Sequence, residues 1–162
     1  RLTRLINQVL DLAMVKAGRM AWNMTVVNVV DVIEQAVASI KHLIDTQHIS
    51  LSLDLDTSVP SVRADRDRLL QVVLNLLSNA VKFCDSTAGR VGIVLVADEG
   101  SVRVEVWDNG RGIQAEDQDL IFERVTQRAD PVAGRPEGFD VEVAISKHII
   151  KLIGGRLWVT SP

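Results

Sequence analysis

The chain is predicted to be an α+β protein, a two-layer α/β sandwich with helices packed on one face of a mixed, mostly antiparallel sheet. Three observations predict it. Ile49, Leu51, Leu53 and Leu55 alternate with polar residues, the period of a strand with one buried face. Val32, Ile33, Ala36, Val37, Ile40 and Ile44 recur at three- and four-residue spacing, the period of a helix with an inward stripe. Two strand-like runs, Val91 to Ala97 and Val102 to Trp107, flank Asp98-Glu99-Gly100 and read as a hairpin.

In chain order, residues 1 to about 20 place Leu2, Leu5, Val9 and Leu12 on one stripe, widened by Ile6, Leu10 and Ala13. This suits one helix of a bundle or coiled coil, or a helix packed on its own domain, and Gly18 ends it. A short strand follows around Met24 to Val27, then a helix from about Val29 to Thr46. Pro60 to Asp65 reads as a short edge-like strand, and Asp65 is placed to cap the next helix, which runs through Phe83. After the hairpin, Gln114 to Glu142 is polar and rich in Pro, Gly and Arg. It holds one short helix near Asp117 to Phe122 and otherwise reads as a mobile loop. Val143 to Ile153 reads as a helix stopped by Gly154-Gly155, and Arg156-Leu-Trp-Val-Thr160 begins a strand.

Composition narrows the functions. With 162 residues, 47% hydrophobic and 24% charged, the chain supports one well-cored domain plus an appendage. A net charge of -3 supplies no basic field for nucleic acid or an anionic membrane. Cys84 is the sole cysteine, so neither an internal disulfide nor a Cys-based metal site is expected. His42, His48 and His148 have no metal-like spacing and read as structural or surface residues. No apolar run approaches the ~18 residues of a membrane span, and no signal peptide is visible. The chain begins with an Arg inside a helical pattern, so a piece of a longer protein is expected.

Two segments carry chemistry. In Gln71-Val-Val-Leu-Asn75-Leu-Leu-Ser-Asn79-Ala-Val-Lys82-Phe83, at ~100° per residue, Leu69, Val73, Leu76, Ala80 and Phe83 share one face. Gln71, Asn75, Ser78, Asn79 and Lys82 share the opposite one. That polar side is either a ligand site or the solvated face of an amphipathic helix. Asn is a poor helix former, and two of them in mid-helix need a reason. About thirty residues on, Val104-Glu-Val-Trp-Asp108-Asn-Gly110-Arg-Gly112-Ile113 is a strand that ends in an Asp and a Gly-rich turn. A carboxylate there can accept from an exocyclic amine, and the glycines let backbone approach a flat ring or take positive φ. Alone, the same residues are an ordinary turn.

Together, in this order and spacing, the two segments resemble the N box and first glycine box of the sensor histidine kinase ATP-binding domain. That domain's wider family includes gyrase, Hsp90 and MutL. The resemblance covers nearly the whole chain and implies the same sandwich fold, with one more strand beyond Pro162. It implies that residues 1–20 resemble the second helix of a dimerisation stem, and that 21–162 is the ATP-binding domain with its last strand truncated. The first stem helix, with the phosphoacceptor His, is absent. The resemblance further implies ATP and Mg²⁺ as ligands, with Asn79 bringing the metal to the phosphates, a role suited to an amide oxygen. Asn75, also the candidate catalytic residue, stands where ATP-hydrolysing cousins place a Glu base. An amide cannot take a proton from water, which favours phosphoryl transfer to a protein. Lys82 would lie against the phosphates, Asp108 would accept from the adenine amine, and Gly110, Gly112 and Ile113 would fold over the base. Phe122 and Gly138 would belong to the lid. Cys84 sits where Thr is frequent and reads as a small buried filler. The implied partners are a response-regulator receiver domain and a second copy through the stem, with no nucleic acid and no membrane contact from this cytoplasmic segment.

One stretch departs from the pattern. The family's second glycine box typically reads Gly-x-Gly-Leu-Gly-Leu, and this chain has Gly138-Phe-Asp140-Val-Glu142-Val. The missing glycines would have offered backbone N–H groups to phosphate at a helix N-terminus. The acids instead set negative charge beside a polyanion, with an upper bound of ~3 kcal/mol for one charge pair at ~6 Å and dielectric ~20. Alternatively, Asp140 and Glu142 cap the following helix. The segment Ile121-Phe122-Glu-Arg-Val125 also keeps one aromatic where the family often has two. Two functions are therefore open: an active histidine kinase domain, or a degenerate one that dimerises or binds partners with little or no ATP use. A serine kinase of the anti-sigma-factor type is a third, and the stem-like start argues against it.

Overall fold

A computed structural model describes residues 21–122 and 141–162 of the chain. The helix expected over 1–20, most of the loop expected from Gln114 to Glu142, and with it Gly138 and Asp140, lie outside the described residues. The chain divides into two compact units: Asn23–Gly112, and one containing the described residues from Ile113 to Pro162.

The first unit holds β1 (Met24–Val27), α1 (Val29–Thr46), β2 (Ser50–Leu55), β3 (Val62–Asp65), α2 (Arg66–Phe83), β4 (Arg90–Asp98) and β5 (Ser101–Asp108). β1 pairs antiparallel with β3. A three-stranded sheet has the order β2-β4-β5, parallel between β2 and β4 and antiparallel between β4 and β5. α1 packs against α2 and β2, and α2 packs against β4 and β5. Val91, Ile93 and Leu95 are fully buried, and their register partners Val106 and Val104 on β5 share that face. On the other face the Trp107 ring lies over Gly92, where an added Cβ would sit 2.2 Å from the indole. The hairpin turns through Glu99 (φ 38°) and Gly100 (φ 86°), the paired positive φ that two-residue hairpins need.

α1 starts where Asn28 Oδ1 accepts from Val30 N–H at 3.0 Å. Its expected inward residues are buried except Val37, which is half-buried. The alternation in β2 buries less than its pattern predicts: Leu51 and Leu55 are half-buried and Leu53 is 45% exposed. β2 is the outer strand of its sheet, so helix cover thins out beside it. α2 buries Leu69, Val72, Val73, Leu77, Ala80 and Val81. Its apolar stripe is therefore rotated from the expected one, with Leu76 and Phe83 only half-buried.

In the second unit, α3 (Ala115–Gln118) and a 3₁₀ turn (Leu120–Phe122) replace the single short helix expected near Asp117 to Phe122. α4 (Val141–Leu152) begins two residues before the expected Val143. It ends at Gly154, φ 87°, whose N–H donates to Lys151 O while Gly155 N–H donates to Ile150 O. The strand expected from Arg156 is not formed, because no neighbouring strand pairs with it among the described residues. The Arg156 guanidinium instead lies 4.6 Å from the centre of the Trp158 ring.

Candidate functional site

The site is built where the end of α2 meets the end of β5. Asp65 fixes the start of α2, accepting at Oδ1 from Asp67 N–H and Arg68 N–H, while its Oδ2 accepts from Asn23 N–H at 2.9 Å. One carboxylate thus caps the helix and ties it to the entry of β1. From that start the polar stripe runs through Asn75, Asn79 and Lys82. Asn75 is only 8% exposed although it sits in the middle of that stripe. A buried amide has to be partnered, so this face is not a simple solvated one. Asn79 is half-buried and Lys82 exposed.

At the far end of α2, Gly110 packs on the helix terminus. A Cβ at Gly110 would stand 1.9 Å from Phe83 O and 2.7 Å from Asp108 Oδ1, so a side chain there has no room. Gly110 is needed for close approach and Gly112, at φ 73°, for its conformation. Asp108 Oδ1 accepts from Gly110 N–H at 2.8 Å, and among the described residues Oδ2 receives no hydrogen bond. The carboxylate therefore keeps an oxygen for a donor outside the chain. Lys82 Nζ lies 5.3 Å and the Arg111 guanidinium 6.0 Å from the centre of the Phe83 ring, which sets two cations around one half-buried aromatic.

Cys84 follows the helix directly. Its Sγ donates to Val81 O at 3.3 Å, and an added Cβ at Gly89 would sit 2.9 Å from it. Burial pushes the thiol up, and the carboxylates of Asp108 and Asp85 add to that. The filler role expected for Cys84 fits a half-buried, protonated thiol.

Asn75, Asn79, Lys82, Asp108, Gly110 and Gly112 thus belong to one unit, and Ile113 and Phe122 to the other. There, Ile113 N–H donates to Ser161 Oγ at 2.9 Å and Ile113 O accepts from Gln118 Nε2 at 3.0 Å. The Phe122 ring carries Lys147 Nζ 4.6 Å from its centre. Glu142 lies in the first turn of α4.

The sequence reading missed the residues that hold the loop between α2 and β4. Asn109, read only as part of a turn, accepts at Oδ1 from Arg90 N–H (2.7 Å) and Asp85 N–H (3.3 Å), and donates from Nδ2 to Ala88 O (2.8 Å). Asp85 Oδ1 accepts from Ala88 N–H, Thr87 Oγ1 and Thr87 N–H, which together hold its carboxyl below the usual carboxylate range. Asn109's partners lie 19 to 24 positions away, and no local pattern marks contacts at that separation.

A partly buried amide stripe, a strand-end carboxylate and a glycine turn seated on the helix end thus lie together in one α/β unit. The profile described as "Histidine kinase-, DNA gyrase B-, and HSP90-like ATPase" matches residues 64–162, and the chain belongs to that family. Within it, this is an ATP-binding domain of the histidine kinase type. The adaptive-response sensory kinase SasA of Prochlorococcus marinus (strain MIT 9303) is 33% identical over 129 residues, 78% of this chain and 34% of that protein. The chain thus spans about a third of the length of the curated relatives it matches. Among solved structures, the nucleotide-free catalytic domain of histidine kinase ThkA is 27% identical with a TM-score of 0.71, covering 84% of this chain and 87% of that one. Full-length ShkA in complex with AMPPNP is 25% identical with a TM-score of 0.79, covering 99% of this chain and 34% of that one.

Proposed function

We propose that this segment binds ATP with Mg²⁺ and, in a longer protein on the cytoplasmic side, serves a two-component sensor kinase. The adenine amine would donate to Asp108 Oδ2, with the turn at Gly110 and Gly112 under the ring. Lys82 faces the phosphates. Asn79 Oδ1 fits as a hard-cation ligand, with Asn75 next to it on the same stripe, and the ion supplies charge neutralisation on the phosphates. The γ-phosphoryl group passes to an imidazole nitrogen on a stem helix outside this chain. A phosphorus–nitrogen bond forms as the bond to the β-phosphate oxygen breaks, and ADP leaves. Asn75 has no basicity to activate water, which keeps the phosphoryl group for that acceptor. An aspartate of a response-regulator receiver domain is the next acceptor, and the stem joins two copies.

The observation that carries this reading is the seat of Gly110 on Phe83 O, which joins the Asp108 turn to the Asn-bearing helix as one surface. Calorimetric titration with a non-hydrolysable ATP analogue and Mg²⁺ tests it. Binding is expected, and Asp108→Asn should weaken it about tenfold or more, since a charge-assisted hydrogen bond is lost. A wild-type chain that gives no heat at millimolar nucleotide sinks the proposal.

A second reading rests on Glu142. Its place in the first turn of α4 puts a carboxylate where an anion would meet the helix N-terminus, and there the acid also favours the helix. A degenerate kinase domain, acting through dimerisation or partners with weak ATP use, follows if nucleotide affinity is lost for that reason.

A further inference from the structure

Among the described residues, the side chain of Asn109, at the end of β5, reaches the loop between α2 and β4 through several hydrogen bonds. We propose that Asn109 is the positioning residue for base recognition: it acts through Asp108 and sets the ATP selectivity of the site. This inference rests on the nucleotide-binding reading above.

The argument is geometric. Asn109 Oδ1 is shared by the N–H groups of Asp85, just past the end of α2, and Arg90, the first residue of β4. Asn109 Nδ2 reaches Ala88 O between them, and Asn109 N–H donates to Arg90 O at 3.1 Å. Both ends of the loop and its middle are therefore held by one residue. Asp108 and Gly110, its chain neighbours, make the two contacts on which the site depends: the carboxylate with its spare oxygen, and the seat on Phe83 O. With Asn109 clamped, the peptide planes on either side of it cannot rotate, so Asp108 Oδ2 keeps a fixed direction relative to the helix end. An alanine there releases the turn and leaves the exposed donors and acceptor it had held to water. The Asp108 carboxylate then loses its aim without losing its charge.

The test compares ATP and inosine triphosphate analogues with Mg²⁺ on the same chain, because inosine lacks the exocyclic amine. Wild type is expected to prefer the adenine analogue. Asn109→Ala should lower affinity for the adenine analogue about tenfold, the scale of one hydrogen bond to a charged group, and leave the inosine analogue nearly unchanged, collapsing the preference. In an Asp108→Asn background, Asn109→Ala should cost nothing further. If both analogues weaken equally, or the two substitutions add, Asn109 is merely structural and the inference is overturned. Should Asn109→Ala fail to fold by thermal melt, Asn109→Asp takes its place. It keeps the Oδ1 acceptor, loses the donor to Ala88 O, and should reduce the preference in part. An unchanged preference in that variant also overturns the inference. A wild type that binds neither analogue removes the nucleotide reading itself, a result distinct from selective binding that ignores Asn109.

Discussion

His48 closes α1 in the left-handed region at φ 55°, a conformation that side chains bearing a Cβ adopt at a cost. The position is a helix C′: His48 N–H donates to Asp45 O and Ile49 N–H to Ile44 O, as Gly154 and Gly155 do at the end of α4. One helix thus ends on glycine and the other on histidine. His48→Gly should raise stability by about 0.5–1 kcal/mol, the strain relieved less the added chain entropy of glycine. A thermal melt that moves down rather than up would refute this. Nothing in Gln47-His48-Ile49 announces a left-handed residue, since the signal sought there is Gly or Asn. At Gly110, whose φ is not positive, the glycine was legible because its neighbours formed a motif, yet the reason it must be glycine was not. The demand comes from Phe83 O, which lies across the fold.

Among elements, α2 carries most of the proposed site residues, and Asp65 holds its start. The carboxylate satisfies two first-turn N–H groups and reaches back to Asn23. Asp65→Ala should cost about 2 kcal/mol, a cap plus a part-buried hydrogen bond, read as a lower urea midpoint with unchanged slope. A loss within ~0.3 kcal/mol would place the strength of this junction elsewhere, in the burial of its apolar residues. The capping role was legible from Asp65 alone because it depends on the residues immediately after it. The bond to Asn23 was not, for it exists only once β1 pairs with β3. The rotation of the apolar stripe has the same origin. Leu76 and Leu77 are equally apolar, and the packing of α2 on its neighbours decides that Leu77 is the fully buried one. For Arg156 to Thr160, residue preferences suited a strand, but a strand also needs a partner to complete its ladder.

At the scale of the whole molecule, the proposed ATP binding meets the acids of the altered glycine box. Replacing Asp140 and Glu142 together by Gly should strengthen binding of the ATP analogue about thirtyfold, since a third of the bare repulsion per acid comes to ~2 kcal/mol for the pair. Affinity that stays put or falls would mean that the acids serve the helix rather than oppose the ligand. Such an outcome agrees with Glu142 lying inside the first turn of α4. The sequence by itself determined the fold class and the order of elements from β1 to β5, because periodicity, caps and turn residues are written within a few positions of each other, while the pairing of an Asn-bearing helix with a carboxylate turn came from the resemblance to a family. It also showed where the second glycine box departs from its family. Only the tertiary structure decided that Asn75 is buried, that Gly110 is seated on Phe83 O, and that Asn109 clamps the loop before β4. Those facts depend on atoms brought together from 19 to 27 positions apart along the chain, where backbone hydrogen bonds and close packing, not local preference, fix the outcome.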